Sequence, residues 1–523
     1  MNVPATPVVS VRDLAVTFET DDGTLAALKG VSLDIAPGEI VALVGESGSG
    51  KSVFSSCLVG LPLVSRRTTV TGSVQVAGVD MLGGEDRQRR QVRRDLLGMV
   101  FQDPLTSLDP MMTIGNQVCE RGADEARGVA ALTDCGIPEP ATRMKQWPHV
   151  LSGGLRQRTS IAGAITAGSG GAPVLLVADE PTTALDVQVQ AQIIALFARL
   201  RDEHGCSIVL VTHDLGVAAQ VADRIAVMYA GEICELGPTA EVLSNPQHAY
   251  TSRLLEARLD VNKVVVRDRP AAAVPEPTAE RAPVLAVDDV VKTFRRQGGR
   301  FTAVDHVSLA VAPGGSLALV GESGCGKSTV LRMATGLTRP DAGTIEVSGA
   351  ARPQLVFQDA GSSLTPWLTV SAQLVERLRG RGLSRRASAD AAAELLERVG
   401  LDARMGRARP RELSGGQRQR AAIARALASS PEILVCDEPV SALDASLAAR
   451  VLDLLEDLRF SLGVAILMVT HDLAVARRIA DDLAVMNQGA IVERGPLDQV
   501  FADPQHPYTR ALLAASPTIY PAA

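Results

Sequence analysis

The chain is poor in aromatic residues and has no long apolar run. Aromatic residues make up 3% of its 523 residues, but hydrophobic residues make up 46% and charged residues 21%, which is typical of a folded globular protein and argues against a disordered chain. A membrane-spanning helix needs about 20 consecutive apolar residues, and the best runs, residues 174–178 and 433–435, soon end at carboxylates. We expect no membrane-spanning helix. The first 11 residues lack a basic region followed by an apolar stretch, so we expect a cytosolic protein without a secretory signal.

Cysteine pairs and excess positive charge are also missing. The seven cysteines form no CxxC pair and no Cys/His cluster with zinc spacing, so we expect reduced, mostly structural thiols. The formal net charge is −7 and the isoelectric point is near 5.7, which argues against nucleic acid as the main partner. Two arginine-rich runs, residues 87–94 and 377–386, are predicted to be solvated helix faces.

What the chain does contain is a long internal repeat. Five strings occur twice in the same order: GESGSGKS and GESGCGKS, LSGGLRQR and LSGGQRQR, VADEPTTALD and VCDEPVSALD, two copies of VTHDL, and NPQHAYT and DPQHPYT. Lys51 and Lys327 lie 276 positions apart, whereas Asp186 and Asp444 lie 258 apart. The offset shrinks because the first copy has a longer stretch over residues 61–98, which we predict to be a surface insertion.

The repeat predicts two domains, residues 1–258 and 284–523. Residues 259–283 are rich in Pro and Ala and have no amphipathic period, so they are expected to form an extended linker. Within each copy, short apolar runs alternate with helical stretches, the pattern of a mostly parallel sheet flanked by helices. The opening alternations VVSVRDLAVTF and LAVDDVVKTF predict an antiparallel β layer. Each copy is therefore expected to be an α/β core with a β subdomain.

Each copy carries GxxxxGK[ST] between an apolar strand and a helical pattern, the context in which this motif binds phosphate. Its glycines let backbone N–H groups curl around phosphate oxygens at a helix N-terminus. The lysines, two of only six in the chain, are expected to reach the β and γ phosphates, and the following serines to offer hydroxyls to Mg²⁺. The predicted residues are Gly45, Ser47, Gly48, Gly50, Lys51 and Ser52, and in the second copy Gly321, Ser323, Gly324, Gly326, Lys327, Ser328 and Thr329.

The strings VLLVADE and ILVCDE place carboxylates at the end of an apolar strand, as a nucleotide hydrolase requires. Asp179 and Asp437 are predicted to hold Mg²⁺ through water, and Glu180 and Glu438 to polarise the attacking water. An isolated DE after an apolar run is usually a strand end that meets solvent. The same order relative to the phosphate loop in both copies favours the functional interpretation.

Together, LSGGQ, the DEP segment, the ALD loop and the TH dipeptide resemble the ABC ATPase family over nearly the whole chain apart from the linker. The resemblance implies two tandem α/β P-loop domains, each a RecA-like core with an antiparallel β subdomain and a helical subdomain. It implies that the domains pair head to tail, with each ATP between one phosphate loop and the other LSGGQ segment. Ser414, Gly415, Gly416 and Gln417 would then face the nucleotide on Lys51, and Ser152, Gly153 and Gly154 the one on Lys327.

The resemblance also implies roles for residues outside these segments. Gln102 and Gln358 match the glutamine that touches Mg²⁺ and senses the permease. His213 and His471 match the catalytic switch histidine at the γ-phosphate. A histidine after a strand is by itself more often a loop residue, so the matched spacing in both copies carries this interpretation.

Two further pairs follow from the same likeness. Asp186 and Asp444 match the loop that communicates across the dimer. Phe18 and Phe294, each 33 residues before its lysine, match an aromatic residue that stacks on adenine. Either phenylalanine alone would more simply be a core residue.

The two copies depart from each other at two points. The first signature has Leu155 where the second has Gln417, and the second FQD segment continues AGSSLTPW where the first continues PLTSLDP. Neither change removes a residue expected to contact phosphate or metal. We therefore expect two competent sites, of equal or unequal rate.

The paired PQH-YT segments, with FQDPLTSLDP and LSGG-x-RQR, resemble the oligopeptide and dipeptide importers. That likeness implies two membrane permease subunits, an extracytoplasmic solute-binding protein, and a peripheral position on the cytoplasmic face of the membrane. No cysteine-rich tail follows these segments, so we expect no iron–sulfur cluster.

Two alternatives remain open at this point. A twin-domain ATPase that acts on ribosomes or nucleic acid is expected to have a charged helical linker and a basic surface, and this chain has neither. A drug-export or sugar-import ATPase is not expected to carry the PQH-YT segments. Neither the solute nor the mode of dimerisation can be read from the sequence.

Overall fold

The computed structural model describes residues 6–20, 23–61, 68–102, 107–166, 171–182, 185–262, 282–296, 299–349, 352–441 and 443–519. These residues form two compact units. The first contains the described residues up to Arg258 together with residues 517–519, and the second contains those from Leu259 to Ser516. Most of the predicted linker, residues 263–281, lies outside the described residues.

The first unit contains two sheets. Its strands are β1 (Val9–Thr20), β2 (Gly23–Ile35), β3 (Ile40–Val44), β4 (Thr68–Val76), β5 (Val79–Asp80), β6 (Leu97–Val100), β7 (Leu175–Asp179), β8 (Ser207–Thr212), β9 (Arg224–Tyr229) and β10 (Glu232–Pro238). An antiparallel sheet has the order β2-β1-β4-β5. A second sheet has the order β10-β9-β3-β8-β7-β6 and is parallel except between β9 and β10.

The helices of the first unit flank the parallel sheet or form a separate helical layer between β6 and β7. They are α1 (Lys51–Leu58), α2 (Asp86–Asp95), α3 (Ile114–Val118), α4 (Glu125–Asp134), α5 (Pro140–Arg143), α6 (Gly153–Ile165), α7 (Val187–His204), α8 (Leu215–Val221), α9 (Thr239–Ser244) and α10 (Ala249–Ala257), with a 3₁₀ turn at Pro148–Val150.

The second unit repeats this plan. Its strands are β11 (Leu285–Arg296), β12 (Gly299–Val311), β13 (Ser316–Val320), β14 (Ala342–Val347), β15 (Gln354–Val356), β16 (Ile433–Asp437), β17 (Ala465–Thr470), β18 (Asp482–Asn487) and β19 (Ala490–Pro496). The antiparallel sheet has the order β12-β11-β14, and the larger sheet the order β15-β16-β17-β13-β18-β19. The larger sheet is again parallel except for its last pair.

The helices of the second unit follow the same order along the chain. They are α11 (Lys327–Ala334), α12 (Ala360–Ser363), α13 (Val370–Gly380), α14 (Arg385–Arg398), α15 (Ala403–Arg407), α16 (Gly415–Leu427), α17 (Ala445–Leu462), α18 (Leu473–Ile479), α19 (Leu497–Ala502) and α20 (Pro507–Ala515), with a 3₁₀ turn at Pro410–Glu412.

The central parallel strands are buried on both faces. Every residue of β3, β7 and β8 is buried, which is why their sequences are continuous apolar runs rather than alternations. In a parallel sheet of this kind, the carboxyl ends of the strands share one edge, where ligand sites form. The phosphate loop after β3, the carboxylates after β7 and the histidine after β8 therefore meet at that edge.

The stretch predicted as a surface insertion, residues 61–98, is only partly at the surface. Its strand β4 pairs with β1, and Val74 and Val76 are 0% and 1% exposed. Helix α2 fits the expectation, since Val92 is its only buried residue. The prediction was wrong for β4 because its partner strand lies about 60 residues earlier in the chain, beyond the reach of local pattern.

Two other expectations, solvated arginine-rich helix faces and no membrane-spanning helix, agree with the described residues. Most side chains of the arginine-rich runs at residues 87–94 and 377–386 are exposed, as expected for solvated helix faces. Every described helix is too short or too polar to span a lipid bilayer.

All seven cysteines are free thiols, and five of them are buried. Burial raises the pKa of Cys57 to about 11 and the pKa of Cys206 to about 12. Because the thiolate is the reactive form, brief iodoacetamide treatment of the native chain at neutral pH is expected to modify the half-buried Cys119 and Cys234 first. In urea all seven are expected to react, as read by mass spectrometry. Rapid labelling of Cys57 in the folded chain would contradict this packing.

Candidate functional site

The phosphate loop of each unit curls around its own lysine. Lys51 is 6% exposed, and its ammonium donates to the carbonyl oxygens of Gly45 and Glu46 at 2.7 and 2.8 Å. Lys327 makes the corresponding bonds to Gly321 and Glu322, both at 2.7 Å. Since each lysine begins a helix directly after the loop, the loop's backbone N–H groups and the helix N-terminus converge on one point, as an anion site requires.

A glycine opens each loop at a place where the backbone comes very close to a neighbouring strand. Gly45 and Gly321 both have φ of +153°. A Cβ atom at these positions would lie 2.2 Å from the Met228 carbonyl oxygen and 2.1 Å from that of Met486. Only glycine fits, so the loop's path is fixed by the edge of the sheet.

The carboxylate at the end of β7 has the character of a cation ligand. Asp179 is 6% exposed, and its Oδ1 is buried and accepts no hydrogen bond from the described residues. Burial raises its pKa, although the Ser52 hydroxyl acts in the opposite direction. In the second unit the Ser328 hydroxyl donates to Asp437 Oδ1 at 3.4 Å. A buried carboxylate oxygen beside a serine hydroxyl fits the oxygen-rich coordination that Mg²⁺ prefers.

The next residue in each unit, a glutamate, is held between an amide and an imidazole. Gln102 Nε2 donates to Glu180 Oε2 at 2.9 Å, and His213 Nδ1 lies 3.3 Å from Glu180 Oε1. In the second unit Gln358 Nε2 donates to Glu438 Oε2 at 3.1 Å, and His471 Nδ1 lies 2.9 Å from Glu438 Oε1. The structure therefore brings together the glutamine, glutamate and histidine that the sequence singled out.

The glutamates also have an unusual backbone. Glu180 and Glu438 have φ of 47° and 44°, in the left-handed region that residues other than glycine seldom adopt. Their N–H groups donate to the carbonyl oxygens of Val211 and Val469, both at 2.9 Å, on the neighbouring strand. Such strain is typical of functional sites. It turns the carboxylate toward the glutamine and histidine at the sheet edge.

The neighbouring glutamate shifts the pKa of the histidine in both units, and in the second unit the histidine also shifts the pKa of the glutamate. Burial alone lowers the pKa of His213 and His471, but the adjacent carboxylates raise it by more, so the net shift is upward. Burial raises the pKa of Glu438, and His471 more than offsets this, so the net shift is downward. The Glu438 carboxylate is thus kept ionised, as a group that accepts a proton from water must be.

The signature segments begin helices elsewhere in each unit. Ser152 and Ser414 are the N-cap residues of α6 and α16. A Cβ added at Gly154, Gly415 or Gly416 would lie within 4 Å of a leucine side chain (Leu185, Leu443 and Leu447 respectively), whereas one added at Gly153 would meet nothing within 4 Å. In the second unit the Gln417 side chain accepts from the Ser414 N–H at 2.9 Å, which completes a capping box. Leu155 cannot make this bond, so the change between the copies has a structural consequence.

The aspartates of the ALD loops also cap helices. Asp186 accepts from the Val189 N–H at 2.9 Å, and Asp444 accepts from the Leu447 N–H at 3.0 Å, at the starts of α7 and α17.

The two predicted adenine-stacking residues differ in how far their side chains are buried. Phe18 is half-buried against the apolar core of its sheet, whereas Phe294 is 42% exposed.

One residue of the site was missed in the sequence. The Ser441 hydroxyl accepts from Gln358 Nε2 at 3.3 Å and donates to the Glu438 carbonyl oxygen at 3.1 Å. It therefore ties the glutamine to the backbone of the strained glutamate. The signal was the hydroxyl residue three positions after each glutamate, Thr183 and Ser441. Thr183 lies outside the described residues.

Comparison with known proteins agrees with this geometry. The sequence model of the family described as "ABC transporter" matches residues 28–183 and 304–441. The model described as "Oligopeptide/dipeptide transporter, C-terminal region" matches residues 234–282 and 492–523. The chain belongs to the ABC transporter family, with two tandem nucleotide-binding regions that bind ATP.

Relatives that match over nearly their whole length indicate which kind of ABC protein this is. The chain is 42% identical to the peptidoglycan transport ATP-binding protein YejF of Agrobacterium fabrum, over 98% of this chain and 96% of that protein. It is 40% identical to the glutathione import ATP-binding protein GsiA of Pectobacterium atrosepticum, over 99% and 91%. It is 38% identical to the oligopeptide transport ATP-binding protein OppD of Mycobacterium tuberculosis, over 99% of each chain. The chain is an ATPase subunit of an ABC importer, and action on ribosomes or nucleic acid is not favoured.

Proposed function

We propose that the chain binds ATP with Mg²⁺ at two sites and couples its hydrolysis to uptake of a short peptide or peptide-containing solute. The observation that carries the ATPase part is the glutamate held between a glutamine and a histidine, beside a phosphate loop, in both units. In each unit the candidate residues for orienting water thus lie together, which supports this proposal.

Each residue of the set has a chemical task in this proposal. The phosphate-loop lysine moves from the loop carbonyls to the β and γ phosphates, and the loop N–H groups hold the remaining oxygens. Mg²⁺, when bound, neutralises charge on these phosphates. Ser52, Gln102 and Asp179, and in the second site Ser328, Gln358 and Asp437, would hold it.

The glutamate is the candidate general base. Glu180 and Glu438 would orient the attacking water and accept its proton. His471 keeps the Glu438 carboxylate ionised. Both His213 and His471 would contact the γ-phosphate. The strained backbone of the glutamates holds this geometry before ATP arrives.

We further propose that residues 1–258 and 284–523 are the two nucleotide-binding domains and that they close head to tail on ATP. In that arrangement the serine and glycines of each signature segment, with Gln417 in the second, cover the nucleotide on the other phosphate loop. Their N-cap geometry supports this, because a helix N-terminus attracts phosphate. Asp186 and Asp444 would meet the other domain, and Phe18 and Phe294 the adenine.

The solute class follows from what the relatives transport. Peptidoglycan, glutathione and oligopeptides, named for the three relatives, all contain amino acids joined by amide bonds. We infer that this chain serves an importer of the same chemical class. Its partners would be two permease subunits and an extracytoplasmic binding protein, with the chain on the cytoplasmic face and without an iron–sulfur cluster.

The test of the solute class is uptake by cells. A strain that lacks this chain is expected to lose accumulation of one labelled member of a panel of tripeptides, glutathione and a muropeptide. The intact chain is expected to restore it, and a chain carrying Glu180→Gln and Glu438→Gln is expected not to. Unchanged uptake of every panel member in the deletion strain would overturn the proposal.

A further inference from the structure

In each unit a glutamate on the last strand accepts two backbone hydrogen bonds from the segment that follows the strand. Glu235 on β10 accepts from the backbone N–H groups of Gln247 and His248 at 2.8 and 3.1 Å. His248 in turn caps α10, since its Nδ1 accepts from the Tyr250 N–H at 3.1 Å. These bonds fix the direction in which Tyr250 points.

The second unit repeats every one of these contacts. Glu493 on β19 accepts from the N–H groups of Gln505 and His506 at 2.7 and 3.0 Å, and His506 Nδ1 accepts from the Tyr508 N–H at 3.2 Å. The PQH-YT segment thus has the same local structure in both units. The glutamates pair with it although they lie 12 or 13 residues earlier.

The tyrosine of this segment reaches the phosphate loop. The Tyr250 hydroxyl accepts from the Glu46 N–H at 3.0 Å, and the Tyr508 hydroxyl accepts from the Glu322 N–H at 3.0 Å. These bonds join residues 204 and 186 positions apart. The terminal segment is therefore in direct contact with the loop that meets phosphate.

The bonded N–H belongs to the same peptide unit as the carbonyl that receives the lysine. Gly45 supplies the carbonyl that Lys51 contacts at 2.7 Å, and Glu46 supplies the N–H that Tyr250 accepts at 3.0 Å. A peptide unit is planar, so the two bonds together fix its orientation. A peptide next to glycine rotates with little steric cost, and the tyrosine opposes that rotation.

We propose that Tyr250 and Tyr508 are positioning residues that hold the first peptide of each phosphate loop, and through it the lysine, ready for the phosphates of ATP. This inference rests on the proposed nucleotide role of the loops. It gives the PQH-YT segment a task inside the ATP site of its own unit. The tyrosine acts before chemistry, so its hydroxyl contributes to ATP affinity and not to the hydrolytic step.

The test is a chain that carries Tyr250→Phe and Tyr508→Phe, which removes the two hydroxyls and keeps the rings. The KM for ATP is expected to rise about threefold to tenfold, the loss that one neutral hydrogen bond gives, with kcat little changed. The amide hydrogens of Glu46 and Glu322 are expected to exchange faster. The matched control is Tyr229→Phe, because that ring packs 4.3 Å from the Tyr250 ring and is 45% exposed, and its KM is expected to match the parent's.

The outcomes separate this inference from the proposed function. If the parent chain hydrolyses ATP and the double variant has an unchanged KM and unchanged exchange at Glu46, the positioning role is overturned. A fall in kcat at constant KM would also overturn it. A parent chain without ATP turnover would overturn the proposed function itself.

Discussion

A chain carrying both Glu180→Gln and Glu438→Gln is expected to lose ATP turnover by about 10²- to 10⁴-fold, the usual contribution of a general base. Glutamine has the size of glutamate but cannot accept the proton of the attacking water. Each single variant is expected to lose its own site's share of turnover, since the contacts around the two glutamates are alike. Phosphate release by the purified chain measures the effect.

The matched control for this experiment is Glu394→Gln. Glu394 forms an exposed ion pair with Arg398 on one helix face, and such pairs contribute little. Its turnover is expected to equal the parent's. If one single variant at the site is as active as the parent, that site does not hydrolyse ATP. ATP binding by the double variant should persist, because the glutamates are not phosphate-loop residues.

Gly45→Ala and Gly321→Ala are expected to abolish ATP binding at the altered site and to lower the free energy of unfolding by about 2 kcal/mol or more. The added Cβ would lie 2.2 and 2.1 Å from carbonyl oxygens of the neighbouring strand. Backbone atoms cannot give way by that amount without moving the loop. Titration with a fluorescent ATP analogue and urea unfolding measure the two effects.

The control for the glycine variants is Gly380→Ala. Gly380 is the last residue of α13, and a Cβ there would meet nothing within 4 Å. Alanine at a helical position is expected to be neutral or to stabilise by up to about 1 kcal/mol. ATP binding that survives in Gly45→Ala at parent strength would contradict the steric account of the loop.

The parts of the site that could be predicted from sequence are those set by short-range spacing. Lys51 follows a strand and a glycine turn within a few residues, so the loop and helix could be predicted together. The proximity of Gln102, Glu180 and His213 could not be predicted from short-range spacing alone. It follows from the rule that neighbouring parallel strands end at one edge, and the choice of residues came from family resemblance.

Other features depended on contacts that no local pattern reveals. The bond between Tyr250 and Glu46 spans 204 residues, so the PQH-YT segment gave no sign that it touches the phosphate loop. Strand β4 was misjudged for a similar reason. The capping box of Ser414 and Gln417 could have been predicted from the sequence, since S-x-x-Q at a helix start is its usual sequence form. The head-to-tail pairing of the two units stays a prediction.

The most direct test of the central claim is ATP turnover by the chain in vesicles that contain its candidate permease pair. The account predicts that the permeases bind the chain and that solute-loaded binding protein raises turnover. The same vesicles are expected to take up solute with the parent chain and not with the variant carrying Glu180→Gln and Glu438→Gln. Permeases that neither bind the chain nor change its turnover would contradict the account.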